Sequence, residues 1–290
     1  MTRPGTWTKA RVDVLDGDLR RHRNDRLATE EPMEIRMLAG GERATVAVTM
    51  RTPGADFELA AGFLVSEGVI HERSSVRGLS YCVDRDVDEV QRLNIVNVAL
   101  RGDSLPVLAG LDRHFFTNSA CGVCGRATLE ELEERGVRSV RPPSSSLAPE
   151  TLYSLPDVMR RAQTTFESTG GLHAAALFTL DGALLALRED VGRHNAVDKV
   201  IGRAFLADEL PLADRILMVS GRSSYEIVQK AVVAGIPVVC AVSAPSSLAV
   251  DVAERFGITL VGFLRERRMN VYTGAGVLAD ERGSVEVPEG

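Results

Sequence analysis

The chain has 290 residues, of which 44% are apolar and 26% are charged, and this is the composition of an ordinary globular protein. Its net charge of −6 argues against a protein that binds duplex nucleic acid, because such a protein needs a basic face to displace counterions. No apolar run approaches the length of a membrane-spanning helix, and residues 1–17 lack the apolar core of a signal peptide. We therefore expect a cytoplasmic protein that contacts neither nucleic acid nor a membrane.

The first half of the chain contains a few short periodic segments. Residues 1–30 are polar and rich in arginine, and they predict a frayed lead-in. Apolar and polar residues alternate in residues 44–50 and 94–100, as they do in half-buried strands, and residues 57–69 have helical spacing. Prolines and serines after residue 140 predict a linker. Residues 31–140 are therefore predicted to form a smaller, β-rich α+β domain that carries a cysteine pair at its end.

Residues 149–290 are predicted to form an α/β domain. Apolar strands alternate there with amphipathic helices, which indicates a mixed sheet covered by helices on both faces. Ser223 and Glu226 have the spacing of a capping box at one helix start. The predicted helices are residues 149–168, 192–206, 223–235 and 246–256, and the predicted strands are residues 174–180, 183–187, 216–219, 237–242 and 258–263.

The run Cys121-Gly122-Val123-Cys124 is the most specific chemical feature of the chain. A structural zinc site needs four ligands and no second cysteine pair follows, although Cys82, His114 and His173 could complete such a site. In a thioredoxin-like dithiol the cysteine pair opens a helix, whereas the helical pattern here begins only near Thr128. The pair is therefore predicted to lie in a flexible loop, which suits a sulfur atom carried between two distant sites.

Two polar turns follow predicted strands and precede predicted helices. His194 lies in the first turn, within residues 192–199, and such junctions are where open α/β sheets bind their ligands. Ser220, Gly221 and Arg222 lie in the second turn, where free N–H groups at a helix start favour an anion. The serines there could also serve only as helix caps. Both turns are candidates for an anion-binding site.

A basic segment follows the last predicted strand. Arg265, Arg267 and Arg268 occupy three of four consecutive positions, and they could bind phosphate groups or the edge of a guanine base. A solvated, charged tail is the alternative interpretation. The position of the segment directly after a strand favours a binding role.

Five motifs, in this order, resemble those of the formate dehydrogenase accessory sulfurtransferases, the FdhD family. The motifs are residues 117–125, 170–173, 192–199, 220–222 and 268–272, and the resemblance extends over about residues 30–275. It implies a homodimer whose larger domain has a cytidine-deaminase-like, three-layer fold with a mixed sheet. It also implies a protein that takes sulfur from a cysteine desulfurase and transfers it to the bis(guanine dinucleotide) form of the molybdenum cofactor. Formate dehydrogenase would be the client.

The resemblance also implies roles for individual residues. Cys121 would carry the persulfide. By ordinary thiol–disulfide chemistry, the neighbouring Cys124 could resolve this persulfide or relay the sulfur. The cofactor would bind where the strands end. The residues expected to bind it are Phe263, Leu264, Arg265, Glu266, Arg267, Arg268, His194, Ser220, Gly221 and Arg222.

Two other functions remain as alternatives. A passive chaperone would bind the cofactor but tolerate the loss of its cysteines. A zinc-dependent deaminase of this fold needs His-x-Glu at one helix start and Pro-Cys-x-x-Cys at the next. Residues 194–196 read His-Asn-Ala and residues 220–224 read Ser-Gly-Arg-Ser-Ser, so both motifs are missing. We therefore expect no bound zinc.

Overall fold

The computed structural model describes residues 5–106 and 125–279, whose strands form sheets of two, four and six strands. The strands are β1 (Trp7–Asp16), β2 (Leu19–Ala28), β3 (Glu31–Ala39), β4 (Glu42–Arg51), β5 (Val76–Tyr81), β6 (Ile95–Leu100), β7 (His173–Thr179), β8 (Leu184–Asp190), β9 (Arg215–Val219), β10 (Val238–Ala241), β11 (Thr259–Arg265) and β12 (Arg268–Thr273). The α-helices are α1 (Asp56–Ser66), α2 (Glu89–Arg92), α3 (Gly125–Glu134), α4 (Pro149–Ala162), α5 (Thr164–Thr169), α6 (Arg193–Leu206), α7 (Tyr225–Val233) and α8 (Ser247–Phe256).

The expectation of a frayed segment over residues 1–30 was wrong, because β1 and β2 pair along their full lengths as an antiparallel ribbon. Charged residues between small apolar ones concealed the strand pattern. The charges instead stabilise the ribbon across its two strands, since Arg20 bonds to Asp13 and Arg21 bonds to Asp16. The guanidinium of Arg26 also lies 4.5 Å from the centre of the Trp7 ring.

The four-stranded sheet has the order β4-β3-β6-β5. Its strands β4 and β6 confirm the strands predicted in residues 44–50 and 94–100, and α1 confirms the helix predicted in residues 57–69. β3 runs parallel to β6 and antiparallel to β4. Met33, Ile35 and Met37 alternate along β3 and are fully buried in the apolar core that also contains α1. The alternation predicted for half-buried strands therefore places one face of this sheet against α1.

The six-stranded sheet has the order β12-β11-β10-β9-β7-β8, in which β9, β10 and β11 are parallel and the other pairings are antiparallel. This confirms the α/β fold with a mixed sheet. One face packs its apolar side chains with α4, and the other packs with α6, α7 and α8, which makes three layers. The core on the α6 side is continuous with that of the four-stranded sheet. The division into domains at residues 31–140 and 149–290 stays a prediction.

Two elements of the second half differ from the prediction. Residues 149–168 form two helices, α4 and α5, because the backbone of Gln163 leaves the helical region at φ −81 and ψ 78. Residues 262–272 are not a tail after the last strand, since β11 extends to Arg265 and turns back as β12. Apolar periodicity was a poor guide here because the hairpin is exposed on both sides of its turn. Among the described residues, none of the helices combines the length and apolar character needed to cross a bilayer.

Two glycines allow α1 and α6 to approach closely. A Cβ atom on Gly62 would lie 1.8 Å from the carbonyl oxygen of Asp198, and one on Gly202 would lie 1.8 Å from that of Glu58. Such distances are far shorter than any non-bonded contact, so the helices meet backbone to backbone. This contact joins the four-stranded sheet to the helices of the six-stranded sheet.

Replacing Gly202 with alanine is therefore expected to destabilise the protein by about 3 kcal/mol, at the upper end of the usual penalty for overpacking. The roughly 1 kcal/mol that alanine gains in helix propensity does not offset a clash with a backbone carbonyl. Urea denaturation followed by circular dichroism measures the loss. Gly78→Ala is the matched control, because a Cβ atom there meets nothing within 4 Å. Equal stability of the two variants would contradict the close packing of α1 on α6.

Candidate functional site

The predicted turns converge at one edge of the six-stranded sheet. The parallel strands β9, β10 and β11 all end there, and we call this the carboxyl edge. β7 starts at the same edge because it is antiparallel to β9, and β8 ends beside it because His173 pairs with Asp190. The turn with His194 and the turn with Ser220 are therefore neighbours, whereas β10 and the loop after it lie between the Ser220 turn and the β11–β12 hairpin.

His194, at the start of α6, interacts with two residues of the neighbouring turn. Its Nε2 lies 3.2 Å from Oγ of Ser224 and 3.5 Å from Oε2 of Glu226. The hydrogen bond with His194 is the main reason why the pKa of Glu226 falls to about 2, so this carboxylate is ionised near neutral pH. Glu226 was not among the predicted site residues, because its sequence position suggested only a helix cap.

The predicted capping box of Ser223 and Glu226 was wrong. The N-cap of α7 is Ser224, and its side chain accepts no capping hydrogen bond. Ser223 is fully buried, and its Oγ has no hydrogen-bond partner within the described part of the chain. Its backbone instead joins the loop before α8, since its N–H donates to Ala244 and its carbonyl accepts from Ser246. Tertiary contacts, and not local helix capping, determine this turn.

Ser220 and Gly221 have structural roles at the carboxyl edge. Oγ of Ser220 accepts a 2.9 Å hydrogen bond from the backbone N–H of Ala174, and so joins the end of β9 to β7. A Cβ atom on Gly221 would lie 3.5 Å from Nδ1 of His173 and 4.0 Å from Cδ of Arg193. Gly221 therefore packs close to these two side chains, and a Cβ atom there would be in ordinary van der Waals contact with both. Arg222, in contrast, is exposed.

His173 and Arg193 are two residues at this edge that the sequence prediction of the site omitted. Burial lowers the pKa of His173, and the nearby Arg193 and His194 lower it further. Nε of Arg193 is buried and has no hydrogen-bond partner among the described residues. Both residues belong to family motifs, at residues 170–173 and 192–199, so the motifs could have identified them as site residues. Arg193 adds positive charge to this part of the edge, whereas the lowered pKa of His173 favours its neutral form.

The other polar residues of the 192–199 motif fasten the carboxyl edge to the four-stranded sheet. Nδ2 of Asn195 donates to the carbonyl of Met50 at 2.7 Å and to Asp190 at 3.0 Å. Nζ of the buried Lys199 lies 2.6 Å from Oδ2 of Asp190 and donates to the carbonyl of Thr52 at 2.9 Å. These groups position the edge and are too buried to meet a large ligand.

The side chains of the segment from Phe263 to Arg268 differ in burial and in the residues they contact. Phe263 has a left-handed backbone, with φ 51, at a register irregularity of the β11–β12 hairpin, and its ring is exposed while Leu264 is fully buried. Arg265 and Arg268 are opposite each other across the turn, and both are exposed.

The turn between these arginines contains the remaining two residues of the segment. Glu266 is exposed and also has a left-handed backbone, with φ 51. The guanidinium of Arg267 donates to Glu150 of α4 at 2.9 Å and lies 5.7 Å from the Tyr153 ring. Arg267 is therefore engaged with α4, whereas Arg265 and Arg268 have no ion-pair partner among the described residues.

Cys121 and Cys124 lie outside the described residues. The expectation that the following helix starts near Thr128 was wrong, because α3 begins at Gly125, directly after the pair. Of the other cysteines, Cys240 is buried in the core, where burial raises the pKa of its thiol to about 12, and Cys82 is buried beside Arg36. Within residues 5–106 and 125–279, no three His, Cys, Asp or Glu side chains are grouped to hold a metal ion.

Comparisons with known proteins give one consistent result. The model of the FdhD/NarQ family matches residues 28–279. The chain is 51% identical over 268 residues to the sulfur carrier protein FdhD of Mycobacterium tuberculosis, covering 91% of this chain and 96% of that protein. It is 53% identical over 254 residues to the protein of the same name from Streptomyces avermitilis, covering 87% and 88% of the two chains.

A crystal structure gives the same result for the fold. It is described as a formate dehydrogenase accessory protein from Desulfotalea psychrophila. The match has a TM-score of 0.71 with 23% identity, and it covers 94% of this chain and all of the other.

Proposed function

Because the chain belongs to the FdhD/NarQ family, we propose that it is a sulfurtransferase that carries sulfur as a persulfide on Cys121. The sulfur donor is a cysteine desulfurase. The acceptor is the bis(molybdopterin guanine dinucleotide) form of the molybdenum cofactor, which the protein binds as its cargo, and formate dehydrogenase is the client. The observation that carries this proposal is the 51% identity, over 91% of the chain, to a relative named as a sulfur carrier protein.

The transfer to Cys121 requires a thiolate and an accessible sulfur. The Cys121 thiolate attacks the terminal sulfur of the donor persulfide, a new S–S bond forms, and the donor cysteine leaves as a thiolate. Cys124 is close enough in sequence to attack the resulting persulfide and relay or release its sulfur. The start of α3 directly after Cys124 supports this chemistry, because the N-terminus of a helix favours a negative charge.

Persulfide formation tests the proposed function directly. The purified chain, incubated with a cysteine desulfurase and cysteine, is expected to gain the mass of one sulfur atom on the peptide that contains Cys121. Mass spectrometry of the alkylated protein locates the added sulfur. A Cys121→Ala variant that still gains sulfur on Cys124 would assign the carrier role to the second cysteine. Absence of a mass gain in the wild type would contradict the proposal.

We place the cofactor at the carboxyl edge, where several groups suit a phosphate-bearing ligand. Two of them are the buried Nε of Arg193 and Oγ of Ser223, which have no hydrogen-bond partner within the described residues. A buried polar atom without a partner costs free energy, so a ligand that bonds to it gains affinity. The exposed Arg265 and Arg268 supply charge. The proposed site consists of Phe263, Arg265, Glu266, Arg268, His194, Ser220, Gly221 and Arg222, with Leu264 buried beneath it, and we add His173 and Arg193 to it.

Guanosine diphosphate, standing in for the nucleotide half of the cofactor, is expected to bind at this edge. Replacing Arg265 and Arg268 together with alanine should weaken the binding by a few kcal/mol, since charge-assisted hydrogen bonds contribute roughly 1.5–3 kcal/mol each. Arg267→Ala is the matched control, because the Arg267 side chain is engaged with Glu150 of α4. Isothermal titration calorimetry measures the affinities. Equal affinity of the double variant and the wild type would show that the nucleotide does not bind at the hairpin.

The remaining properties of the protein belong to the same proposal. We place it in the cytoplasm as a homodimer, without contact with nucleic acid or a membrane, and without bound zinc. The deaminase alternative would require a zinc site at His194, whose ring instead contacts Ser224 and Glu226. Metal analysis of protein purified without added metal is expected to find less than one equivalent of zinc. One equivalent of zinc that disappears when Cys121 or Cys124 is replaced would instead indicate a metal site at the cysteine pair.

A further inference from the structure

The ionised carboxylate of Glu226 lies against groups at the carboxyl edge that suit a phosphate. Its Oε2 is 3.5 Å from Nε2 of His194, and the same nitrogen is 3.2 Å from Oγ of Ser224. The hydrogen bond with His194 lowers the pKa of Glu226 most, and hydrogen bonds with Ser224 and with its own backbone N–H lower it further, to about 2. The carboxylate is therefore bonded both to the start of its own helix and to the start of α6.

The start of α7 is a position that attracts an anion. Ser224 is the N-cap, but its side chain makes no capping hydrogen bond, and Glu226 is the acidic residue of the first turn. N–H groups at a helix start favour negative charge, whether it comes from a bound phosphate or from a carboxylate of the chain. Elsewhere at this edge, Nε of Arg193 and Oγ of Ser223 are buried without a partner among the described residues. Glu226 therefore fills one part of the proposed phosphate site, while other polar groups of the site stay unpaired.

Helix stabilisation alone does not account for the contacts of Glu226. Asp56, in the first turn of α1, is a carboxylate with a structural role, because it is buried and is bonded to the buried Arg51. The side chain of Glu226, in contrast, is 49% exposed, and it reaches a histidine on a different helix. An ion pair at the surface contributes little free energy, so an exposed carboxylate can turn out into water at small cost. The contact between Glu226 and His194 is therefore reversible.

We propose that Glu226 is an internal competitor of the phosphate groups of the cofactor. Its carboxylate occupies His194 and the start of α7 when no phosphate is bound, and it turns out toward solvent when a phosphate group binds there. The inference rests on the nucleotide site proposed above, and it adds the residue that limits the affinity of that site. It does not depend on the persulfide chemistry of Cys121.

Competition of this kind favours release of the cargo. A phosphate group that enters must break the contact between Glu226 and His194 or lie beside a like charge, and either event lowers its affinity. When the cargo leaves, the carboxylate returns to His194 and replaces the lost contact. A carrier that transfers its cofactor to a second protein needs such a limit on affinity. Because the Glu226 side chain is half exposed, solvent screens its charge, and we expect an effect of about tenfold on the dissociation constant.

Isothermal titration calorimetry of guanosine diphosphate and of inorganic pyrophosphate tests this inference. Glu226→Gln keeps the size of the side chain but removes its charge, so this variant should bind both probes about tenfold more tightly than the wild type. Guanosine has no phosphate, and its affinity should be the same for both proteins. Glu254→Gln is the matched control. It removes the same charge from an exposed position near the C-terminal end of α8, toward the opposite edge of the sheet, and it should leave every affinity unchanged.

Glu226→Ala is a second variant without the carboxylate, and it should also bind both phosphate probes more tightly. Thermal unfolding of each variant near the wild-type temperature would show that the fold is intact. The inference alone is overturned if the wild type binds guanosine diphosphate and neither Glu226 variant binds it more tightly. Weaker binding by the variants also overturns it, because Glu226 would then be a contact of the ligand, for example to the N–H groups of guanine. An equal gain for guanosine overturns it as well, since the competition would not be with phosphate. Absence of binding in every protein overturns the nucleotide site together with the inference.

Discussion

A client formate dehydrogenase matured with the Cys121→Ala variant is expected to be inactive, although the variant folds and binds the cofactor. Alanine has no sulfur atom that could form a persulfide, so sulfur transfer is abolished and not merely slowed. The activity of the client, measured after maturation with wild-type or variant protein, should fall to the level found without this protein. Cys124→Ala should reduce the activity as well, because the second thiol relays or resolves the sulfur.

Cys82→Ala is the control for the cysteine variants. It also removes one thiol, but Cys82 is 4% exposed and lies beside Arg36 in the four-stranded sheet. Its loss should reduce stability by about 1 kcal/mol and leave client activity unchanged. Normal activity with Cys121→Ala would instead support a passive cofactor chaperone. Unchanged activity with Cys124→Ala would give the second cysteine only a structural role.

The second large effect is expected at the buried ion pair that joins α6 and α7. Nζ of Lys230 donates to both carboxylate oxygens of Asp198, at 2.8 and 3.0 Å, and Oγ of Ser66 donates to the same carboxylate. Burial alone lowers the pKa of Lys230, but Asp198 and Glu67 raise it above its usual value, so the ammonium stays charged. Burial raises the pKa of the Asp198 carboxyl, against the lowering effect of Lys230. We take the pair as ionised, because both oxygens are bonded.

Lys230→Met is expected to destabilise the protein by about 3–5 kcal/mol, because it leaves the Asp198 carboxylate buried without its counter-charge. Without Lys230, burial keeps the folded-state pKa of Asp198 above its unfolded value. Stability from the protonated form is then present at low pH and is lost as pH rises through the folded pKa. The deficit of the variant relative to wild type, measured by urea denaturation, should therefore shrink as the pH is lowered toward about 5.

Two further variants isolate this effect. Arg203→Met in α6, the helix that carries Asp198, removes a partly exposed arginine that pairs with Glu209, and it should change stability by about 1 kcal/mol or less. Asp198→Asn combined with Lys230→Met should recover part of the loss, since no unpaired charge remains buried. An equal loss for Lys230→Met and Arg203→Met would show that the buried pair contributes little.

Much of the fold could be predicted from local patterns. The alternation in residues 94–100 and the apolar run in residues 216–219 identified β6 and β9, since the period of a strand depends on its own backbone geometry and on which face is buried. The hairpin of β7 and β8 agrees with the strands predicted at residues 174–180 and 183–187, because a gap of two residues allows only a tight turn. Patterns failed where charge replaced burial as the stabilising interaction. The ribbon of β1 and β2 is held by cross-strand ion pairs, and the turn of the β11–β12 hairpin, from Arg265 to Arg268, is exposed.

The family motifs, by contrast, do not distinguish residues of the site from residues that support it. In residues 192–199, Arg193 and His194 reach the carboxyl edge, whereas Asn195 and Lys199 are bonded to the four-stranded sheet. All four are polar and close in sequence. Their different surroundings follow from the helical turn, which directs successive side chains to different sides of α6.

The sequence by itself determined the fold class, the strand-end turns and the motifs that place the chain in its family, because each of these depends on neighbouring residues. Only the tertiary structure decided that Glu226 lies beside His194, that Ser223 is buried without a side-chain partner, and that Gly62 and Gly202 let two helices touch. The contacts of His194 and of the two glycines join residues that are 30 or more positions apart. They depend on the order of strands in the sheet and on the crossing of α1 over α6, which no local period encodes.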